Sequence, residues 1–72
     1  MAIIAVVKIG KSLRVKRIER FMSQAELAEA SGLSEAHVGR IERDEVEPHL
    51  STIRKLARAL GVEPQELAKG ED

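Results

Sequence analysis

A chain of 72 residues without cysteine has room for one small core and no disulfide or thiolate metal site to staple it. Its 12 basic and 12 acidic residues cancel, which excludes an evenly cationic surface, yet they are unevenly placed. Lys8, Lys11, Arg14, Lys16, Arg17 and Arg20 face the single acid Glu19 in the first 22 residues, whereas Asp44, Glu45 and Glu47 crowd one short stretch.

Residues 1–8, MAIIAVVK, are rich in β-branched side chains and read as an extended arm or strand. Ile3, Ile4, Val6 and Val7 are too apolar for a solvated tail, and a lone strand leaves its backbone groups unpaired. Pairing with the same segment of a second chain, by strand addition across a two-fold axis, answers both needs. The alternative is that the arm packs back on its own domain or extends the first helix. The apolar run is too short to span a bilayer, and its positive charge follows it, the reverse of a signal peptide. A soluble, cytoplasmic protein is expected.

Residues 9–69 are expected to form the folded domain, with 70–72 as a frayed tail. Ile9 to Arg20 has helical periodicity and makes a basic first helix with Leu13 and Ile18 as inward candidates. Phe21, the single aromatic residue, is expected to pack, and Met22 to join the core. Then come two short helical patterns, with Ala25, Leu27 and Ala28 apolar in one and Val38 and Ile41 in the other. Each has its own start signal: Ser23 with Glu26 three residues on forms a capping box, and Ser34 repeats the cap with His37 where a box has Glu or Gln. Gly32 stands between them, where a helix must end and turn. The stretch 24–42 therefore reads as a helix-turn-helix. Arg43 to His49 is a loop whose exit Pro48 sets, with His49 or Ser51 capping the next helix. Ser51 to Leu60 turns Ile53, Leu56, Ala57 and Leu60 inward and is stopped by Gly61. Val62 to Lys69 reads as a fifth helix with Pro64 in its first turn and Leu67 inward.

The entry IGKSLRVKR, the segment SQAELAEASGLSEAHVGRIER, the loop ending in Pro48 and LSTIRKLARALGVEPQEL together resemble the phage-repressor (Cro-like, XRE) family of helix-turn-helix DNA-binding domains, from about Ile9 to Leu67. The resemblance implies an all-α, five-helix repressor-like fold, with the first residues as an added arm. It also implies a sequence-specific transcriptional regulator that binds double-stranded DNA. One domain reads only a few base pairs and a two-fold pair reaches two successive major grooves, so a homodimer is expected, through Ile3, Ile4, Val6 and Val7, through Val62 and Leu67, or through both. Two departures stand out. Phe21 occupies a place where the family ends its first helix with glycine, and a bulky residue is not expected in a left-handed cap. Asp44 stands where relatives often carry glycine.

A recognition helix puts its N-terminal residues at base edges in the major groove while the preceding helix crosses the backbone. The third helix then supplies Glu35, Ala36, Gly39 and Arg40 as readers. Arg40 has the donors for guanine O6 and N7, Glu35 an acceptor for cytosine N4, and Ala36 a methyl for that of thymine. Glu35 is equally well explained as an anion favoured at a helix N-terminus. Gln24, Ser34, His37, Arg43, Lys11 and Arg14 are candidates for the sugar-phosphate backbone. The family pattern pairs Arg17 with Glu42 as a structural salt bridge. Acids in the loop after the third helix repel phosphate and, with zero net charge, keep open a protein-interaction module that has lost DNA binding; among DNA binders, the short chain also suits an antitoxin-type autorepressor with a toxin partner. His37 and His49 have no paired spacing, so no metal or cofactor is expected. No catalytic grouping points to an enzyme.

Overall fold

The computed structural model describes residues 8–68. The expected arm, except for Lys8, and the tail 70–72 lie outside them. The described residues form five helices: α1 Gly10–Glu19, α2 Gln24–Ser31, α3 Glu35–Glu42, α4 Leu50–Leu60 and α5 Pro64–Ala68. α2 packs on α3 and α4, α1 on α3 and α5, and α4 on α5. Each helix is too short to persist alone in water, so the shared core holds them. That core is Ile9, Leu13, Leu27, Ala28, Val38, Ile41, Ile53, Leu56, Ala57, Leu60 and Leu67, with Met22, Leu33, Ala59 and Val62 packed at its edge.

The starts of the two central helices follow from their caps. The Ser23 hydroxyl accepts from the Glu26 amide at 3.0 Å while the Glu26 carboxylate accepts from the Ser23 amide at 2.7 Å. Ser34 accepts from the His37 amide at 3.0 Å, and there the cap is one-way because His37 returns no acceptor. His49 precedes α4 without a side-chain cap.

Four helix ends share one closure, in which a residue with left-handed backbone lets its own amide and the next one reach back to the final turn. Gly32 (φ 77°) closes α2 and Gly61 (φ 70°) closes α4. The other two use residues that carry a Cβ. Phe21 (φ 56°) closes α1, its amide donating to the Ile18 carbonyl at 2.9 Å and that of Met22 to the Arg17 carbonyl at 3.1 Å. Asp44 (φ 57°) closes α3, its amide donating to Ile41 at 3.0 Å and that of Glu45 to Arg40 at 2.9 Å. Phe21 thus does adopt the conformation its bulk disfavours. The same turn aims its ring at solvent, 94% exposed, so it does not pack.

Other inward assignments also change. Ile18 lies roughly 140° around α1 from Leu13, at 100° per residue, and is exposed; Ile9 and Arg17 take the inward places instead. Ala25 is exposed on α2. Leu67 is fully buried in the domain's own core and Val62 is half-buried against it, so Leu67 offers no surface to a second chain.

The start of α1 has no local cap, since Ile9 has no acceptor to offer. Asp44 supplies one from 34 residues away: the Gly10 amide donates to its Oδ1 at 3.1 Å. The approach leaves no space for a side chain, because a Cβ on Gly10 would lie 2.5 Å from the Glu42 carbonyl oxygen and 2.8 Å from that of Ile41. Alanine favours helices over glycine by about 1 kcal/mol, but here the crowding wins. Gly10→Ala is expected to destabilise the domain by about 1–3 kcal/mol, measured by urea denaturation, whereas a gain in stability would mean that α1 and the end of α3 are not held in contact.

Candidate nucleic-acid interface

The outer surface of α3 is set by its inner one. Val38 and Ile41 are buried, which turns Ala36, Arg40 and, just past the helix end, Arg43 outward on one line at i, i+4 and i+7. All three are exposed, as are Glu35 on the flank and Ser34 at the cap; His37 is half-buried. Gly39 differs from the other proposed readers because it is buried. Arg43 and Gln24 close over it: a Cβ there would lie 3.1 Å from Arg43 Nη1 and 3.7 Å from Gln24 Oε1. Gly39 therefore forms the floor on which these two side chains come together.

Behind this face lies the main polar contact of the domain. Arg17 Nε donates to Glu42 Oε2 at 2.6 Å and Nη2 to Oε1 at 3.1 Å, the bidentate geometry in which guanidinium and carboxylate match. The third donor, Nη1, reaches the Met22 carbonyl at 2.8 Å, in the turn that leads to α2. Gln24 Nε2, from the first residue of α2, also donates to Glu42 Oε1 at 3.0 Å. One carboxylate at the end of α3 is thus bound by α1 and α2 together. Side-chain exposure is only 12% for Arg17 and 4% for Glu42. The hydrogen bond to Glu42, opposed by burial, raises the Arg17 pKa above its ordinary value, so Arg17 keeps its charge. Gln24 is half-buried, with its amide beside the N-terminus of α2.

The acids of the loop are engaged within the chain. Asp44 accepts from Gly10 at the start of α1, where a carboxylate also suits the helix dipole. Glu45 grips Arg43: Nε donates to Oε2 at 2.7 Å and Nη2 to Oε1 at 3.4 Å. This pairing holds the Glu45 carboxyl below the usual carboxylate range and raises the pKa of Arg43. A lowered carboxylate pKa means a contact present above the ordinary value and lost as pH falls through the lowered one. Glu47 is exposed. Lys11 and Arg14 lie on the exposed side of α1, Lys11 next to the Gly10 contact with the end of α3.

Residues 13–67 match the HTH_3 helix-turn-helix family. The chain belongs to that family. Its sequence is 40% identical over 55 residues to the immunity repressor protein of Bacillus phage phi105, covering 76% of this chain and 38% of the repressor. It is 41% identical over 54 residues to the HTH-type transcriptional regulator SutR of Escherichia coli, covering 75% and 30% of the two chains. The chain spans about a third of the length of the curated relatives it matches. Among solved structures it is similar to the restriction-modification controller protein C.AhdI from Aeromonas hydrophila, at TM-score 0.82 and 45% identity over 86% of this chain and 94% of that one. The P22 c2 repressor, solved in complex with a synthetic operator, superposes at TM-score 0.80 and 32% identity over 88% of this chain and 96% of its own. This HTH_3 domain thus shares its fold with a repressor seen on DNA.

Two features of the face had little signal in the sequence. Glu45 as partner of Arg43 and Asp44 as the cap of α1 both depend on how the chain leaves α3, and only the residue type at 44 hinted at a departure. The bridge generates a stability prediction. Glu42→Ala strands the Arg17 guanidinium and is expected to cost about 3 kcal/mol, whereas Glu45→Ala, which opens an exposed pair, is expected to leave the melting temperature nearly unchanged. Equal melting temperatures for the two variants would remove the bridge as the support of α3.

Proposed function

We propose that this chain is the DNA-binding unit of a transcriptional regulator that acts in the cytoplasm, binds double-stranded DNA as a homodimer and reads the major groove with α3. The observation that carries this reading is the row Ala36, Arg40 and Arg43, exposed on a helix whose C-terminal end is locked to both neighbours through Glu42. A rigid helix with an exposed polar face beside the start of a second helix is what base reading with phosphate anchoring requires. That the P22 c2 repressor, of the same fold, is solved with an operator supports the assignment.

In this reading Arg40 donates to guanine O6 and N7, Ala36 meets a thymine methyl, and Glu35 accepts from cytosine N4. Gln24 donates to a phosphate, with Ser34, His37, Arg43, Lys11 and Arg14 around it. Gly39 acts indirectly, by leaving room for Arg43 and Gln24. The acidic loop, which speaks for a protein-binding module, weighs less once Asp44 and Glu45 have partners within the chain; an antitoxin with a toxin partner stays the alternative within the DNA-binding class. The homodimer is proposed to use the arm or the α4–α5 face. On that face Leu50, 70% exposed, joins Ile53, Arg54 and Pro64 around a shallow groove, and Val62 and Arg58 line its continuation.

Counterion release gives the first test: retention on random-sequence DNA is expected to fall steeply with salt, and retention independent of salt would overturn the reading. Contact chemistry gives the second. Arg40→Ala is expected to lose about 1–3 kcal/mol of discrimination at one base pair per half-site, whereas Gln24→Ala weakens every sequence alike. A uniform loss from both would show that Arg40 does not read. Glu45 separates two further possibilities. If it screens Arg43 from phosphate, Glu45→Gln tightens DNA binding and adds about one to the salt slope; weaker binding would show that Glu45 instead holds Arg43 in place.

A further inference from the structure

The groove between α4 and α5 joins an apolar floor to a rim that is charged with one sign only. Ile53, Val62 and Pro64 form the floor, and Arg54 borders both halves of the groove while Arg58 stands beside Val62. With the exposed Leu50, the two arginines lie at i, i+4 and i+8 along one flank of α4. No acid lines the groove. Among the described residues neither arginine side chain has an ion pair or a hydrogen bond, whereas Arg17 and Arg43 are each held at two points by a glutamate. An exposed arginine alone is ordinary. Two of them beside an apolar trough, with nothing in the domain to balance them, define what the trough can accept.

Nucleic acid fits poorly here. Its interfaces are polar and wet, and an apolar floor offers phosphate nothing in exchange for its water; the proposed reader α3 packs mainly on α1 and α2. A second copy fits poorly as well. A two-fold contact sets one face against its own image, so that two pairs of arginines would meet with no acid of the groove between them. An apolar surface flanked by carboxylates satisfies both parts of the site. The spacing says more: four residues of α4 rise about 6 Å, and carboxylates at i and i+4 of another helix rise by the same amount in either direction. One amphipathic helix laid along α4 therefore brings an acid to each guanidinium while its apolar stripe enters the groove. The 11 residues of α4 offer a length of about 16 Å, three turns of such a helix.

We propose that the α4–α5 groove is a docking site for an acidic amphipathic helix of a partner protein, with Arg54 and Arg58 receiving two carboxylates one turn apart and Leu50, Val62 and Pro64 meeting its apolar side chains. The inference rests on the regulator reading in one respect: it takes the α4–α5 face from the two-fold contact and leaves that contact to the arm.

Selection from a displayed library of random peptides tests it, with the unaltered chain as target and the Arg54→Glu, Arg58→Glu double variant as counter-target. Peptides about 15 residues long are used, the length at which a lone helix begins to hold. Bound peptides are expected to carry acids one turn apart beside apolar residues and to weaken with salt. They are expected to bind the double variant at least about tenfold less tightly, because like charges then face each other. Lysine in place of the two acids restores binding to that variant. Leu50→Ser, at a largely exposed position, is expected to weaken the same peptides without lowering the melting temperature, which separates loss of the groove from loss of the fold. A library that yields no peptide, peptides without acids, or peptides that hold both targets equally would overturn the proposal. Loss of self-association in the double variant, measured by sedimentation, would overturn it in favour of a second copy. A shallower salt slope of that variant on random-sequence DNA would overturn it in favour of phosphate. Acid-selective peptide binding by a chain that shows no salt-dependent DNA retention would uphold the groove and defeat the regulator reading instead.

Discussion

The Glu42 carboxylate is the point on which this domain turns. An acid in the last turn of a helix opposes the helix dipole, and a nearly buried one is costly unless fully paired. Here it accepts three hydrogen bonds from two other helices. The pairing converts a local liability into a tertiary clamp: α3 is oriented only when α1 presents Arg17 and α2 presents Gln24. The side chain proposed to touch phosphate is therefore bonded to the group that fixes the reading helix.

The helix ends show how differently a fold can tolerate strain. Asp44 and Phe21 take nearly the same left-handed backbone. At Asp44 the carboxylate spans to the Gly10 amide and supplies α1 with the cap that Ile9 lacks, so the unfavourable conformation gains a long-range hydrogen bond. At Phe21 the return is local: its own amide and that of Met22 close the end of α1 on the Ile18 and Arg17 carbonyls.

How much of this was legible beforehand depended on how local each determinant is. The capping pair Ser23 and Glu26, the stop signals Gly32 and Gly61 and the apolar spacing of α4 act within one or two turns, and all are visible in a single sequence. Arg17 with Glu42 is 25 residues apart and was reachable only through family resemblance. Ile18 was misplaced because a basic helix with few apolar residues gives its inward face to Arg17, which periodicity counts as polar. Leu67 was rightly placed in the core and wrongly offered to a second chain, since burial inside the domain and burial between chains leave the same apolar mark. Gly10 carried no signal, because its need is set by carbonyls more than 30 residues away.

The Gly10 contact with the end of α3 bears on portability. A helix-turn-helix is often pictured as a cassette of two helices and a turn, yet residues 23–43 lifted from this chain would leave Glu42 without Arg17 and the last carbonyls of α3 without the surface that receives them. A graft that respects the motif but not the first helix would carry α3 without the Arg17 and Gly10 contacts that fix its C-terminal end.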